Sequence, residues 1–178
     1  MDKVTYNGLT FKPFITNEQI SARIAEIGRQ ITEEFSGRNP LLICVLNGAF
    51  PFAADLFRAI ETDAEITFVR FKSYEGTSTT GQVKQLMGLS EDIEGRPVIV
   101  IEDIVDTGHT INELLATLRE KRPADLRVAT LLFKPESLVC DVTPDYVGFS
   151  IAPEFIIGFG LDLDGKARNL RDIYVLDK

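Results

Sequence analysis

The sequence predicts an α/β fold built on a mostly parallel central sheet flanked by helices, and three observations carry that prediction. Four short runs, at 41–46, 65–71, 98–102 and 127–133, are rich in β-branched or aromatic residues and bounded by turn formers or charges. Segments with helical spacing precede and separate them. Strands that alternate with helices in this way form parallel sheets, because each crossover helix carries the chain back to the end of the sheet where the previous strand began.

The elements follow in order. Ile20, Ile24, Ile27, Ile31 and Phe35 recur at helical spacing, and Thr16 with Gln19 forms a capping-box pattern, so 17–35 is an amphipathic helix. LLICVL (41–46) is the first strand, followed by a helix over 51–61 that Pro51 can open, and then by EITFVRF (65–71). The stretch KSYEGTSTTGQVKQLMGLS (72–90) is polar and glycine-rich with no sustained period, and reads as a long mobile loop or hairpin of the kind used as active-site lids. VIVIE (98–102), a helix over 110–121 and RVATLLF (127–133) complete the pattern. With no repeat and no linker dividing two cores, 178 residues fit one domain spanning 1–178.

Composition narrows the function. A formal net charge of -8 and a pI near 4.7 argue against binding nucleic acid or an anionic membrane, so a polyanionic substrate must be held by local features. Cys44 and Cys140 are too few for a disulfide framework and imply reduced thiols in a cytoplasmic protein. No apolar stretch reaches bilayer length, and the first residues lack a signal-peptide core, so a soluble protein is expected.

The most informative segment is Val98-Ile-Val-Ile-Glu-Asp-Ile-Val-Asp-Thr-Gly-His-Thr110, a strand running through a turn into a helix. In open α/β sheets ligands sit at the carboxyl ends of strands. Thr107, Gly108, His109 and Thr110 suit a phosphate, since glycine permits a tight turn, hydroxyls donate and a helix N-terminus carries partial positive charge. Glu102 and Asp103 suit a vicinal diol; alternatively they solvate a strand end while Asp106 caps the next helix. Neither of the two commonest nucleotide-binding glycine loops is present, and a lone histidine excludes metal clusters and catalytic triads built on several histidines.

EDIVDTGHT, two acids and two apolar residues before Asp-Thr-Gly-x-Thr, is similar to the phosphoribosyl pyrophosphate (PRPP) motif of the type I phosphoribosyltransferases. The resemblance covers about 41–170 and is strongest at 98–110 and 155–168. It implies that family's fold, with a flexible catalytic loop and a small hood region. By the same resemblance Glu102 and Asp103 bind the ribose hydroxyls, Asp106 to Thr110 hold the 5′-phosphate, and His109 stands where relatives often have lysine. Asn47 and Gly48, with a cis peptide at Asn47–Gly48, bind pyrophosphate together with Arg70 and Arg168, and Ser73 and Tyr74 begin the flexible loop.

The resemblance further implies a purine pocket of Lys134, which donates to an exocyclic oxygen, Phe155, which stacks on the base, Ile156, whose backbone reads its edge, and Asp162. It implies Mg²⁺ with Glu102, Asp103 and Asp162 as the protein's contributors, and a homodimer or homotetramer. Asp106 is the candidate general base toward N7. An ammonium at Lys134 opposes adenine's amino group, so hypoxanthine or guanine is the expected base, giving IMP or GMP; a xanthine preference and a PRPP-sensing regulator of the same fold are the alternatives.

Overall fold

The computed structural model describes residues 2–74 and 83–177, and for 72–74 and 83–87 the backbone alone. Its elements are β1 (Val4–Tyr6), β2 (Leu9–Ile15), α1 (Asn17–Glu34), β3 (Leu41–Val45), α2 (Phe50–Ala59), β4 (Glu65–Tyr74), β5 (Val83–Met87), β6 (Pro97–Val105), α3 (His109–Arg119), β7 (Asp125–Phe133), β8 (Tyr146–Ser150), β9 (Ile156–Ile157) and β10 (Ile173–Leu176). They form a six-stranded sheet in the order β5-β4-β3-β6-β7-β8 and a four-stranded antiparallel sheet in the order β1-β2-β10-β9. In the larger sheet five strands are parallel and only β5 runs against its neighbour.

Register explains why both faces of the larger sheet are buried. Successive strand residues point to opposite faces. Leu42 and Cys44 of β3 therefore join Ile99 and Ile101 of β6 under α1 and α2, while Leu41 and Ile43 join Val98 and Val100 under α3. The helical stripe Ile20, Ile24, Ile27 and Ile31 faces the first of these cores, and each such side chain contributes about 1.5–3 kcal/mol when fully buried. Gly28 lets α1 approach α2, since a Cβ there would lie 2.6 Å from Ala59 Cβ. The expected capping box is present: Gln19 N–H donates to Thr16 Oγ1 at 3.2 Å, and Thr16 N–H to Gln19 Oε1 at 2.9 Å.

Two parts of the sequence reading change. The 72–90 stretch contains strand toward both ends, because β4 continues to Tyr74 and pairs antiparallel with β5 from Arg70↔Met87 to Tyr74↔Val83. The hairpin alternative is therefore the correct one for its arms; residues 75–82 lie outside the described residues. The smaller sheet was not anticipated element by element. Its β1–β2 hairpin turns at Asn7 and Gly8, both with positive φ (50° and 78°), the Asn-Gly signature of a tight hairpin.

Candidate active site

β3, β6 and β7 run in parallel register, so their carboxyl ends open on the same side of the sheet. Beyond β6 the chain passes through Asp106, Thr107 and Gly108 into α3, around a cavity of about 290 Å³ bordered by 102–108, Thr110 and Ile111. Gly108 has φ +86°, and a Cβ on it would meet Leu138 Cδ1 at 2.8 Å, so both conformation and packing require glycine. The first N–H groups of α3 have no helical acceptor and no side-chain cap, which leaves a partial positive charge beside the cavity. His109 alone among 106–110 does not border the cavity; its exposed ring lies with Nδ1 3.3 Å from Cys140 Sγ.

Three separate segments converge at Gly48. A Cβ there would sit 1.6 Å from Asp103 Oδ2 and 3.4 Å from Arg168 Nη1, so the 46–49 loop, the end of β6 and the 160–168 segment touch through their smallest residue. Gly160, at φ +98°, packs so closely that its Cβ would lie 2.0 Å from the carbonyl oxygen of Gly48. Arg168 is locked across this junction: Nη1 donates to Gly160 O at 2.6 Å and Nη2 pairs with Asp162 Oδ1 at 2.7 Å. Gly165 N–H donates to the other Asp162 oxygen at 2.7 Å. On the far side of the loop Arg70 Nη2 donates to Asn47 Oδ1 at 3.1 Å.

The cis peptide lies at Leu46–Asn47, which corrects the expected Asn47–Gly48 bond. Leu46 N–H donates to Val69 O at 2.8 Å, so the parallel ladder runs up to the residue before the cis bond.

Electrostatics single out the acid pair. Burial, and then the neighbouring Asp103 charge, hold the Glu102 carboxyl well above the usual range. Asp103 is also raised by burial, against the opposing influence of the Ile104 N–H donor and the Arg168 guanidinium. Cys44, on the adjacent strand, is pushed up to about 12 by burial and by these two acids. Such paired, desolvated carboxyls in a cleft are typical of functional sites. Among the described residues no three acidic, histidine or cysteine side chains gather as a metal-holding group, so the expected trio of Glu102, Asp103 and Asp162 does not converge as a ready-made cage. Asp162 is engaged by Arg168 and Gly165 instead.

Lys134 and Asp106, 28 residues apart in sequence, form an ion pair of 2.8 Å between Nζ and Oδ2. The pairing follows from the sheet: Val105 and Phe133 are register partners, and Lys134 N–H donates to Val105 O at 2.9 Å. Lys134 is only 9% exposed, which makes it a directed ammonium rather than a solvated strand end. Phe155, just before β9, is 44% exposed with its ring 5.9 Å from that of Phe11, while Ile156 is buried in β9 of the smaller sheet; neither borders the 102–111 cavity. Ser73 and Tyr74 end β4, with side chains outside what is described. Sequence reasoning missed Gly160, although its place in Gly158-Phe-Gly160 marks a chain that needs two unusual backbone angles. Among the described residues no helix is long and apolar enough to cross a membrane.

Comparison with known proteins gives concordant results. The phosphoribosyl transferase domain model matches residues 15–164. The chain is 45% identical over 166 residues to a hypoxanthine-guanine phosphoribosyltransferase of Streptococcus thermophilus, covering 93% of this chain and 92% of that protein. It superposes with a TM-score of 0.86 and 39% identity on a hypoxanthine-guanine phosphoribosyltransferase of Bacillus anthracis, covering 93% of this chain and 98% of the other. A hypoxanthine phosphoribosyltransferase of Staphylococcus aureus gives a TM-score of 0.87 at 33% identity, covering 93% and 91%.

Proposed function

Because the chain belongs to the phosphoribosyl transferase domain family, we propose that it is a single-domain purine salvage enzyme that transfers the phosphoribosyl group of PRPP to hypoxanthine or guanine. The observation that carries the base preference is the ion pair between the buried Lys134 and Asp106, which borders the 102–111 cavity. Lys134 presents donors only, suited to an exocyclic oxygen and opposed to an amino group. Asp106 presents acceptors only, suited to a nitrogen that must lose its proton.

In this reading the 106–110 turn and the α3 N-terminus hold the 5′-phosphate, and Glu102 and Asp103 accept from the ribose hydroxyls. The 46–49 loop, Arg70 and Arg168 hold pyrophosphate, the two arginines through charge-assisted donors. The bond from ribose C1 to the pyrophosphate oxygen breaks while a purine nitrogen forms the new bond, and Asp106 takes the proton that leaves the base. Phe155 stacks on the purine and the Ile156 backbone reads its edge, which requires the smaller sheet to border the bound base.

Magnesium fits the donor set. Glu102 and Asp103 offer adjacent hard oxygen donors of carboxylate type beside the Arg168 junction, with Asp162 reaching through water. When bound, Mg²⁺ neutralises pyrophosphate charge, and substrate oxygens and waters complete its shell. A cytoplasmic location fits the two free thiols among the described residues, and a homodimer or homotetramer follows from the family resemblance alone.

The test is to incubate the protein with PRPP and Mg²⁺ and, in turn, hypoxanthine, guanine, xanthine and adenine, following pyrophosphate and nucleotide release. Turnover with an oxo-purine but not adenine supports the reading; silence with all four overturns it in favour of a PRPP-binding regulator. Asp106→Asn is expected to lower kcat by about 10²–10⁴ with substrate binding kept, the usual span for a general base. Full turnover in that variant removes Asp106 from the mechanism.

A further inference from the structure

The described residues carry two free thiols in opposite settings. Cys44 is enclosed in β3, whereas Cys140 is partly exposed and its Sγ lies 3.3 Å from Nδ1 of His109. His109 opens α3 and belongs to the phosphate turn, yet its ring is turned away from the cavity and toward this thiol. The segment that carries Cys140 also braces the turn from behind. Val139 N–H donates to Thr107 O at 3.0 Å, and a Cβ on Gly108 would meet Leu138 Cδ1 at 2.8 Å and Cys140 Cβ at 3.3 Å.

We propose that Cys140 and His109 form a modification site at which a low-molecular-weight disulfide adds to Cys140, and that the adduct disables the phosphate turn. The thiolate is the reactive form of cysteine, and an adjoining imidazole generates it by accepting the thiol proton. The Cys140 sulfur then bonds to one sulfur of the disulfide and the original S–S bond breaks. The departing thiolate takes the proton from His109, so Cys140 is oxidised and the leaving group reduced by the same electron pair. An adduct on Sγ displaces the His109 ring, which lies 3.3 Å away at the start of α3, and strains the 138–140 segment, which bonds the turn through Val139 N–H to Thr107 O. The chemistry at the thiol goes beyond the proposed reaction, and only the loss of turnover rests on that reading.

The experiment treats the full chain with a nitrobenzoate disulfide that releases a coloured thiolate. One rapid equivalent per chain is expected, mapped to Cys140 by peptide mass. His109→Asn is expected to slow this release by about tenfold or more, since the proton acceptor is gone. Turnover of an oxo-purine is expected to fall in step with release and to return on adding a reducing thiol, while Cys140→Ser keeps turnover in the presence of the reagent. Rapid reaction at Cys44, an unchanged rate in His109→Asn, or full turnover by the labelled chain overturns the proposal. A chain that shows no turnover before labelling counts against the enzyme reading, and the two rate measurements still decide the thiol–imidazole pair.

Discussion

Replacing Gly160 with alanine is expected to damage both the fold and the junction at Gly48. Two costs add. The position has φ +98°, a conformation that costs a residue with a Cβ about 1–3 kcal/mol. The new Cβ would lie 2.0 Å from the Gly48 carbonyl oxygen and 3.0 Å from Pro51 Cδ, and relieving such overpacking against backbone costs about 1–3 kcal/mol more. The sum, about 2–6 kcal/mol, corresponds to a fall in urea midpoint of about 1–3 M at a slope of about 2 kcal/mol/M. Gly165→Ala is the matched control, because it has φ +80° with nothing within 4 Å and therefore carries the conformational cost alone. Relief of the clash must also separate the 46–49 loop from Arg168, whose Nη1 bonds Gly160 O, so KM for PRPP is expected to rise with the destabilisation. Urea unfolding of both variants at constant slope is the assay. If Gly160→Ala costs no more than Gly165→Ala, the close approach of the two loops is not a constraint and the reasoning fails.

Glu102→Gln is expected to stabilise the substrate-free protein in a pH-dependent way. With its folded pKa raised by burial, Glu102 keeps its proton in the folded chain at pH values where the unfolded chain has released it. Stability therefore declines as pH rises above the ordinary glutamate range, by up to about 1.4 kcal/mol per pH unit until the raised folded pKa is passed. The variant lacks that decline, so its advantage in thermal midpoint grows as pH rises above the ordinary glutamate range, while its PRPP affinity drops; parallel stability curves would count against a protonated Glu102. Lys134→Gln is expected to lower kcat/KM for oxo-purines by about 10–100-fold, the worth of one hydrogen bond from a charged donor, and to narrow discrimination against adenine. An unchanged hypoxanthine-to-adenine ratio in competition assays would show that Lys134 does not read the base.

Four of the six strands of the larger sheet, and its helices, were legible in the sequence because their signals are local. The helical isoleucine stripe, the Thr16–Gln19 cap and the apolar strand runs each depend on neighbours within a turn or two of chain, and the structure realises them within a few residues at each end. The turn at 106–110 was legible for the same reason, since one contiguous segment supplies the strand end, the glycine and the helix start. The smaller sheet was less legible. Ile156–Ile157 is two residues long and is a strand only because Tyr174 and Val175 pair with it. β8 is likewise defined by its pairing with β7.

The chemistry-bearing contacts were decided only by tertiary structure. Whether Lys134 is a surface ammonium or a partner of Asp106 depends on the β6–β7 register, which sets Val105 beside Phe133 and carries Lys134 to the strand end that Asp106 leaves. Whether Glu102 solvates a strand end or is desolvated depends on what covers β6; its 7% exposure follows from that covering and not from its identity. Gly48, Asp103 and Arg168 are separated by 55 and 65 residues in turn, and no local pattern encodes that they touch. The sequence by itself determined which residue types were available and which turns the chain takes. Folding decided which of them meet, because burial and the pairing of charges are properties of surroundings assembled from distant parts of the chain.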